Sequence, residues 1–279
     1  MTIGGATQVY ALAGSPVAHS LSPAIYNGLF AHDGVDAVYV AFEVAPEAGA
    51  GLASALRTLG LAGANLTVPH KAAILPDLDV TDPAVEAAGA ANVVVARDGA
   101  LHGYNTDGEG FCRAFEERFG SVPEAPAIVL GAGGAARAVA AALVARGVPE
   151  VGLLNRTETR ARAACEHLAA YHPGARWRAA ALGSEAFSAA ARSAGLVVNA
   201  TPAGARERVG SLPVDALPDG AIWVDLNYWD PEPPALAACE ARGLRTQRGL
   251  DMLIHQAALA YTLFTGRPAD PVLIRGLLG

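Results

Sequence analysis

The sequence predicts an α/β protein of two domains, and three observations carry the prediction. Short apolar runs alternate with longer segments of helical periodicity along the chain, the signature of βαβ units with helices on the faces of a parallel sheet. A glycine-rich turn at 131–134 joins one such run to a helical segment in mid-chain. Just before it, the polar, proline-containing stretch 120–126 reads as a linker. With 279 residues, 52% hydrophobic and 17% charged, the chain can bury a core in each of two domains.

Taken in order, residues 9–13 read as a strand, followed by a Gly-Ser-Pro turn and a helix opening at Ser22-Pro23. A strand at 38–44 precedes a helix over 48–59, and a third strand covers 62–68. Pro69 then stands where the first turn of a helix is expected, since its missing N–H costs nothing there. Runs at 91–95 and 101–104 pair around the Arg97-Asp98-Gly99 turn, and a helix follows Asp107 to about 119. Beyond the linker, a second series has strands at 127–130, 151–154, 196–199 and 222–226. The last helix, 250–265, stops at Gly266 with Pro268 beyond and is expected to return to the first domain and cover its sheet. The domains are therefore set at 1–107, completed by 247–279, and 108–246.

Composition excludes several function classes. A net charge of −7 argues against a phosphate-backbone partner, which calls for a basic face. Cys112, Cys165 and Cys239 are odd in number and far apart, so they fit buried thiols better than a disulfide frame or a zinc site. The N-terminus lacks a basic start leading into an apolar segment, and no apolar run is long enough to span a bilayer. A cytoplasmic protein with a small-molecule partner is expected, monomeric or homodimeric, with no nucleic acid, membrane or metal.

The segment from Ile128 to Arg137 is the strongest generic signal. Gly131 allows a tight turn, Gly133 lets the backbone approach a pyrophosphate, and Ala136 fills the third small position. The N–H groups around Ala132, Gly134 and Ala135, at a helix N-terminus, suit phosphate oxygens. A Rossmann-type dinucleotide domain follows, because the turn has its strand before and its helix after. An acidic residue about 20 positions on would favour NAD, but the chain has Asn155-Arg156-Thr157-Glu158-Thr159-Arg160 there. Arg156 and Arg160 can pair with a 2′-phosphate and Thr157 can donate to it, so NADP(H) is the expected cofactor. Glu158 weakens that field.

Four further segments carry more specific information: His19-Ser20-Leu21-Ser22-Pro23; Gly63-Ala-Asn-Leu-Thr67-Val-Pro-His-Lys71; Gly89-Ala-Ala-Asn92 with Asn105-Thr106-Asp107; and Gly249-Leu-Asp-Met-Leu-Ile-His-Gln256. Read alone, Ser22 is a helix cap, Lys71 a surface lysine, and Asp107 a cap with Thr106 and Glu109 forming a capping box. Gln256 shares a helical face with apolar residues and needs partners if buried. Together with Asn199-Ala-Thr201-Pro-Ala-Gly204, these strings resemble the shikimate dehydrogenase family in order and spacing over nearly the whole chain. The resemblance implies an N-terminal α/β substrate domain and an NADP domain with a cleft between them. It implies NADPH-dependent reduction of 3-dehydroshikimate to shikimate in aromatic amino-acid (chorismate) biosynthesis. Lys71 and Asp107 would be catalytic, Ser20 and Ser22 would hold the carboxylate, and Thr67, Asn92, Tyr228 and Gln256 would meet the rest of the substrate. Thr201 and Gly249 would join the cofactor residues.

In the expected helical first turn, the Lys71 ammonium opposes the macrodipole, a poor place for a structural lysine and a useful one for a proton donor. Which of Lys71 and Asp107 transfers the proton is left open, and His19 and His70 are read as structural. The rival readings are a quinate or aminoshikimate dehydrogenase using NAD, a non-catalytic NADP-binding sensor, and a folate-linked dehydrogenase, which leaves 19–23 unexplained.

Overall fold

The computed structural model describes residues 2–279 and divides into two compact units. The first comprises 1–110 with 254–279 and the second 111–253, so both dividing points fall inside helices, Asp107–Phe119 and Gly249–Thr265.

In the first unit, β1 (Gln8–Gly14), β2 (Ala37–Glu43), β3 (Gly63–Leu66), β4 (Val80–Thr81), β5 (Val93–Arg97) and β6 (Ala100–Tyr104) form one sheet in the order β2-β1-β3-β5-β6-β4. The sheet is mixed: parallel pairing, expected from end to end, holds among β1, β2 and β3 and between β4 and β6, and the expected pair around Asp98-Gly99 is an antiparallel hairpin. β1 runs parallel to β2 and β3, but β5 is antiparallel to both β3 and β6. The Asp98-Gly99 turn accounts for the β5–β6 pairing: both residues have positive φ, 52° and 81°, matching the twist of a two-residue hairpin.

Ala11, Ala13, Ala64, Leu66, Val94 and Leu101 bury one side of this sheet against Leu52, Leu56 and Ile74. Aromatic rings fill the other side. Tyr10 lies 4.7 Å from Phe264 and 5.4 Å from Phe30, and Tyr26 stacks on Tyr39 at 4.4 Å. Phe264 belongs to Gly249–Thr265, so this helix does cover the first sheet, and the Tyr10 hydroxyl donates to the Phe264 carbonyl at 3.1 Å. The helix expected over 48–59 is α-helical only at Leu52–Thr58, and Pro46–Gly51 forms 3-10 turns. A Cβ at Gly49 would sit 2.6 Å from the His70 ring, so small residues there make room for a buried histidine at the cost of helix propensity.

The second unit holds β7 (Ala127–Leu130), β8 (Glu150–Asn155), β9 (Arg176–Ala181), β10 (Leu196–Asn199), β11 (Ile222–Asp225) and β12 (Arg245–Arg248), in the order β12-β11-β10-β7-β8-β9. All five pairings are parallel. The order reverses between β7 and β10, the point where open α/β sheets bind ligands at their carboxyl ends. Its core gathers Leu130, Leu154, Phe187, Val197 and a fully buried Trp223. Cys112, Cys165 and Cys239 are buried thiols outside any disulfide. Among the described residues, no helix is long and apolar enough to cross a membrane.

Candidate functional site

In the first unit, the loops after β1 and β3 and the start of β5 come to one sheet edge. Ser15 N–H donates to Val68 O at 2.9 Å, Thr67 N–H to Ala13 O at 3.0 Å, and Leu66 N–H to Asn92 O at 2.9 Å. The Thr67 side chain is half-buried, and its methyl group fills the space that a Cβ at Gly14 would take.

The loop carrying Lys71 is not the helix that Pro69 suggested. Val68 to Ile74 is a succession of turns, with a cis bond at Val68-Pro69. The Lys71 carbonyl accepts from Ala91 N–H at 2.7 Å, so it is not available to a helical N–H four residues on. His70 is fully buried, with Nε2 2.9 Å from Val44 O, and so fixes the turn as a structural residue. With no helix here, Lys71 has no macrodipole to oppose. Its setting is made instead by Asp107: Nζ donates to Oδ2 at 2.6 Å, with side-chain exposures of 15% and 5%.

Asp107 is the first residue of its helix, and its N–H is capped by Asn105 Oδ1 at 3.0 Å. The expected capping box does not use the Thr106 hydroxyl. That hydroxyl accepts from Asn92 Nδ2 at 2.9 Å and donates to Gln256 Oε1 at 3.4 Å. Asn92 Oδ1 accepts Thr106 N–H at 2.8 Å, while Nδ2 also donates to Asp107 Oδ1 at 2.9 Å and to Gln256 Oε1 at 3.3 Å. Both oxygens of the Asp107 carboxylate therefore face donors.

Lys71, Asp107, Asn92 and Gln256 thus form one buried cluster. Ser22 is not a cap either: it is the first helical residue, and its N–H donates to Ser20 Oγ at 3.2 Å. That leaves the Ser22 hydroxyl outside any capping bond.

Three supporting residues were given no role in the sequence reading, although two of them lie within its motifs. Asn65, inside an apolar strand, accepts the Tyr39 hydroxyl at 2.8 Å and donates to the Asn92 carbonyl at 3.3 Å. Asn105 donates to Ala90 O at 2.7 Å. Gly110 lets two helices touch, since a Cβ there would lie 2.7 Å from Gln256 N. A polar side chain within an apolar strand was the available signal for Asn65; Gly110 gave none.

In the second unit, Gly131 has φ +113°, and its N–H donates to Leu154 O at 2.8 Å, holding the turn against β8. Gly133 precedes helix Gly134–Ala145 without a side-chain cap, and a Cβ there would meet nothing within 4 Å. The approach to the first N–H groups, those of Gly134 and Ala135, is therefore open, which suits a pyrophosphate. Ala136 is fully buried beneath the helix.

At the end of β8, Asn155 Nδ2 donates to Thr157 O at 2.9 Å. Arg156, Thr157 and Arg160 are exposed. Glu158 pairs with Arg162 at 2.7 Å, so it is turned to a different arginine from the two expected at the cofactor. Thr201 is buried beside Asn199 at the end of β10. Tyr228 is half-buried with its ring 5.0 Å from Trp229.

Gly249 has a packing reason as well: a Cβ there would come 2.1 Å from Leu226 O, a backbone atom that cannot swing aside. Gly249→Ala is expected to cost about 3 kcal/mol through this overlap, read as a lower denaturant midpoint in equilibrium unfolding.

Known proteins match this chain along most of its length. Family models match residues 12–94 (shikimate dehydrogenase substrate binding domain), 113–204 (shikimate/quinate 5-dehydrogenase) and 249–278 (shikimate 5′-dehydrogenase C-terminal domain). The NADP(+) shikimate dehydrogenase of Moorella thermoacetica is 44% identical over 277 residues, covering 98% of this chain and 92% of that protein. The chain belongs to the shikimate dehydrogenase family. Shikimate 5-dehydrogenase from Thermus thermophilus, solved with NADP(H) and shikimate, superposes with a TM-score of 0.82 at 38% identity, covering 97% of this chain and 98% of that one. Quinate dehydrogenase from Corynebacterium glutamicum, solved with NAD, gives 0.86 at 30% identity and 98% of both chains. Shikimate dehydrogenases and a quinate dehydrogenase thus share this fold, so side chains rather than architecture must separate them.

Proposed function

We propose that this chain is a cytoplasmic NADP-dependent shikimate dehydrogenase that interconverts 3-dehydroshikimate and shikimate. The observation that carries the reading is the 2.6 Å Lys71–Asp107 contact inside a cluster of amides. We assign 1–107 with 247–279 to the substrate and 108–246 to the cofactor. Bound at the glycine turn, the dinucleotide supplies hydride at its nicotinamide ring, which is chemistry no side chain here can provide.

The protein's own part is the proton. Reduction of the ketone needs one proton at the carbonyl oxygen, and the Lys71 ammonium supplies it. Asp107 is poorly placed to be the donor: Asn92 N–H faces Oδ1 and Lys71 Nζ faces Oδ2, so a proton on either oxygen would oppose another donor. Asp107 therefore holds Lys71 in place and stays an acceptor. Gln256 Oε1 accepts from Thr106 and Asn92, which holds the side chain beside the Lys71–Asp107 pair, and we assign Gln256 to the substrate. Asn92 and Thr67 complete the contacts to ring hydroxyls, with Tyr228 beside the substrate. Ser20 and Ser22 bind the carboxylate, fixing which hydroxyl reacts.

Arg156 and Arg160 form no ion pair among the described residues, so they can meet the adenosine 2′-phosphate without first breaking one. Arg156→Ala is expected to weaken NADP+ binding about tenfold or more and to leave NAD+ binding nearly unchanged, as measured by calorimetric titration. The whole reading is tested by mixing the protein with shikimate and NADP+ and following the absorbance of reduced cofactor. Steady reduction supports it. Tight NADP+ binding with no reduction would leave a cofactor-binding sensor instead.

A further inference from the structure

Asn27, in the second turn of helix Ser22–Asp33, makes three hydrogen bonds that none of the roles assigned above accounts for. Its Nδ2 donates to Pro23 O at 2.8 Å and to Tyr39 O at 2.8 Å, and its Oδ1 accepts Tyr39 N–H at 2.9 Å. Tyr39 lies in β2, at one end of the first sheet, and faces Tyr10 of β1 on its other side. The amide thus takes the N–H and C=O that a further strand would otherwise take, and ties this sheet edge to the carbonyl one helical turn before it.

The amide fits in one orientation only. Turned over, its oxygen would face the Pro23 and Tyr39 carbonyls and its nitrogen would face the Tyr39 N–H, so all three contacts would be repulsive. Both amide hydrogens are committed inside the protein, which leaves Asn27 no donor for a ligand of its own.

The turn held by this brace carries Ser22. Leu21, at the N-cap, makes no side-chain cap bond, so the first turn depends on contacts from elsewhere. Ser22 is 6% exposed, and its N–H ties Ser20 to the same turn at 3.2 Å. The far half of the helix is fixed independently: Ile25, Tyr26, Leu29 and Phe30 are buried, and Asp33 Oδ2 accepts the Tyr261 hydroxyl at 2.6 Å. Loss of the brace should therefore free the first turn and leave the helix folded. A shift of about 1 Å there is enough to take a hydroxyl out of hydrogen-bond range.

We infer that Asn27 is a positioning residue for the substrate carboxylate: it holds the first turn of Ser22–Asp33 against β2, so that the Ser22 hydroxyl is in place before substrate arrives. The inference rests on the reading above that this unit binds shikimate with its carboxylate at Ser20 and Ser22.

The test is a double-mutant cycle in steady-state kinetics of the intact protein with shikimate and NADP+, comparing wild type, Asn27→Ala, Ser22→Ala and the doubly substituted protein. Asn27→Ala should raise KM for shikimate about tenfold, the worth of one hydrogen bond to a charged group, and change kcat by less than about threefold, since Lys71 and Asp107 keep their contact. Ser22→Ala should raise KM by a similar factor. Adding Asn27→Ala to it should raise KM by less than about twofold further, because the hydroxyl that Asn27 places is gone. A role in stability alone would lower the unfolding midpoint and leave KM unmoved, or would raise KM by the same factor in both backgrounds; either result overturns this inference alone. If Asn27→Ala does not fold, Asn27→Ser takes its place in the cycle, since a serine hydroxyl can still reach the carbonyl four residues back, here Pro23 O, but not β2. Absence of shikimate turnover by wild type, or a KM for Ser22→Ala equal to that of wild type, overturns the reading beneath and takes this inference with it.

Discussion

Replacing Lys71 by alanine is expected to lower shikimate turnover by about 100- to 10,000-fold, the range over which a positioned general acid–base group acts. The loss should fall on kcat, with KM for shikimate changing little, because Asn92 and Gln256 keep their bonds to Thr106. NADP+ affinity should not move, since Gly131, Gly133, Arg156 and Arg160 belong to the other unit. Steady-state kinetics with a parallel NADP+ titration checks both statements. Lys71→Arg should rescue poorly: the guanidinium keeps the charge but does not release a proton at neutral pH.

Asp107→Asn is the second large effect, and it combines activity with stability. Whichever way the new amide lies, its N–H2 meets a donor, either Lys71 Nζ at 2.6 Å or Asn92 Nδ2 at 2.9 Å. Lys71, with only 15% of its side chain exposed, would also lose its counter-charge. Removing one partner of a largely buried pair costs about 3 kcal/mol, so the unfolding midpoint should fall together with an activity loss of at least about 100-fold. A variant with full stability and full activity would show that the pair is incidental.

Much of this site was legible in the sequence, for identifiable reasons. Lys71, Asp107, Asn92 and Gln256 sit in short strings whose order resembles one family, and the structure joins these four by direct hydrogen bonds. The local conformation around Lys71 was not legible. It is dictated by contacts distant in sequence, His70 with Val44 and the Lys71 carbonyl with Ala91 N–H, which override the usual preference of proline for a first helical turn.

The Asn199–Asp225 pair shows the same limit. Each is a polar residue ending an apolar strand, but only the β10–β11 register, Asn199 opposite Asp225, makes them partners. Three strands were missed: β4, β9 and β12. All are edge strands, and they read as two residues, Arg-Trp-Arg-Ala-Ala-Ala and Arg-Thr-Gln-Arg, without the apolar pattern that marks interior strands. The interior strands of the second sheet, fully apolar at Ala127–Leu130 and Leu196–Asn199 apart from the terminal Asn, could be read almost to the residue.

The most direct test of the central claim is kcat/KM for shikimate and for quinate, each with NADP+ and with NAD+, on the same preparation. The account predicts that shikimate with NADP+ exceeds every other combination by at least about tenfold, from the Ser20–Ser22 pair on the substrate side and Arg156 on the cofactor side. Preferred turnover of quinate with NAD+ would contradict it and assign the protein to the sister activity of the same fold.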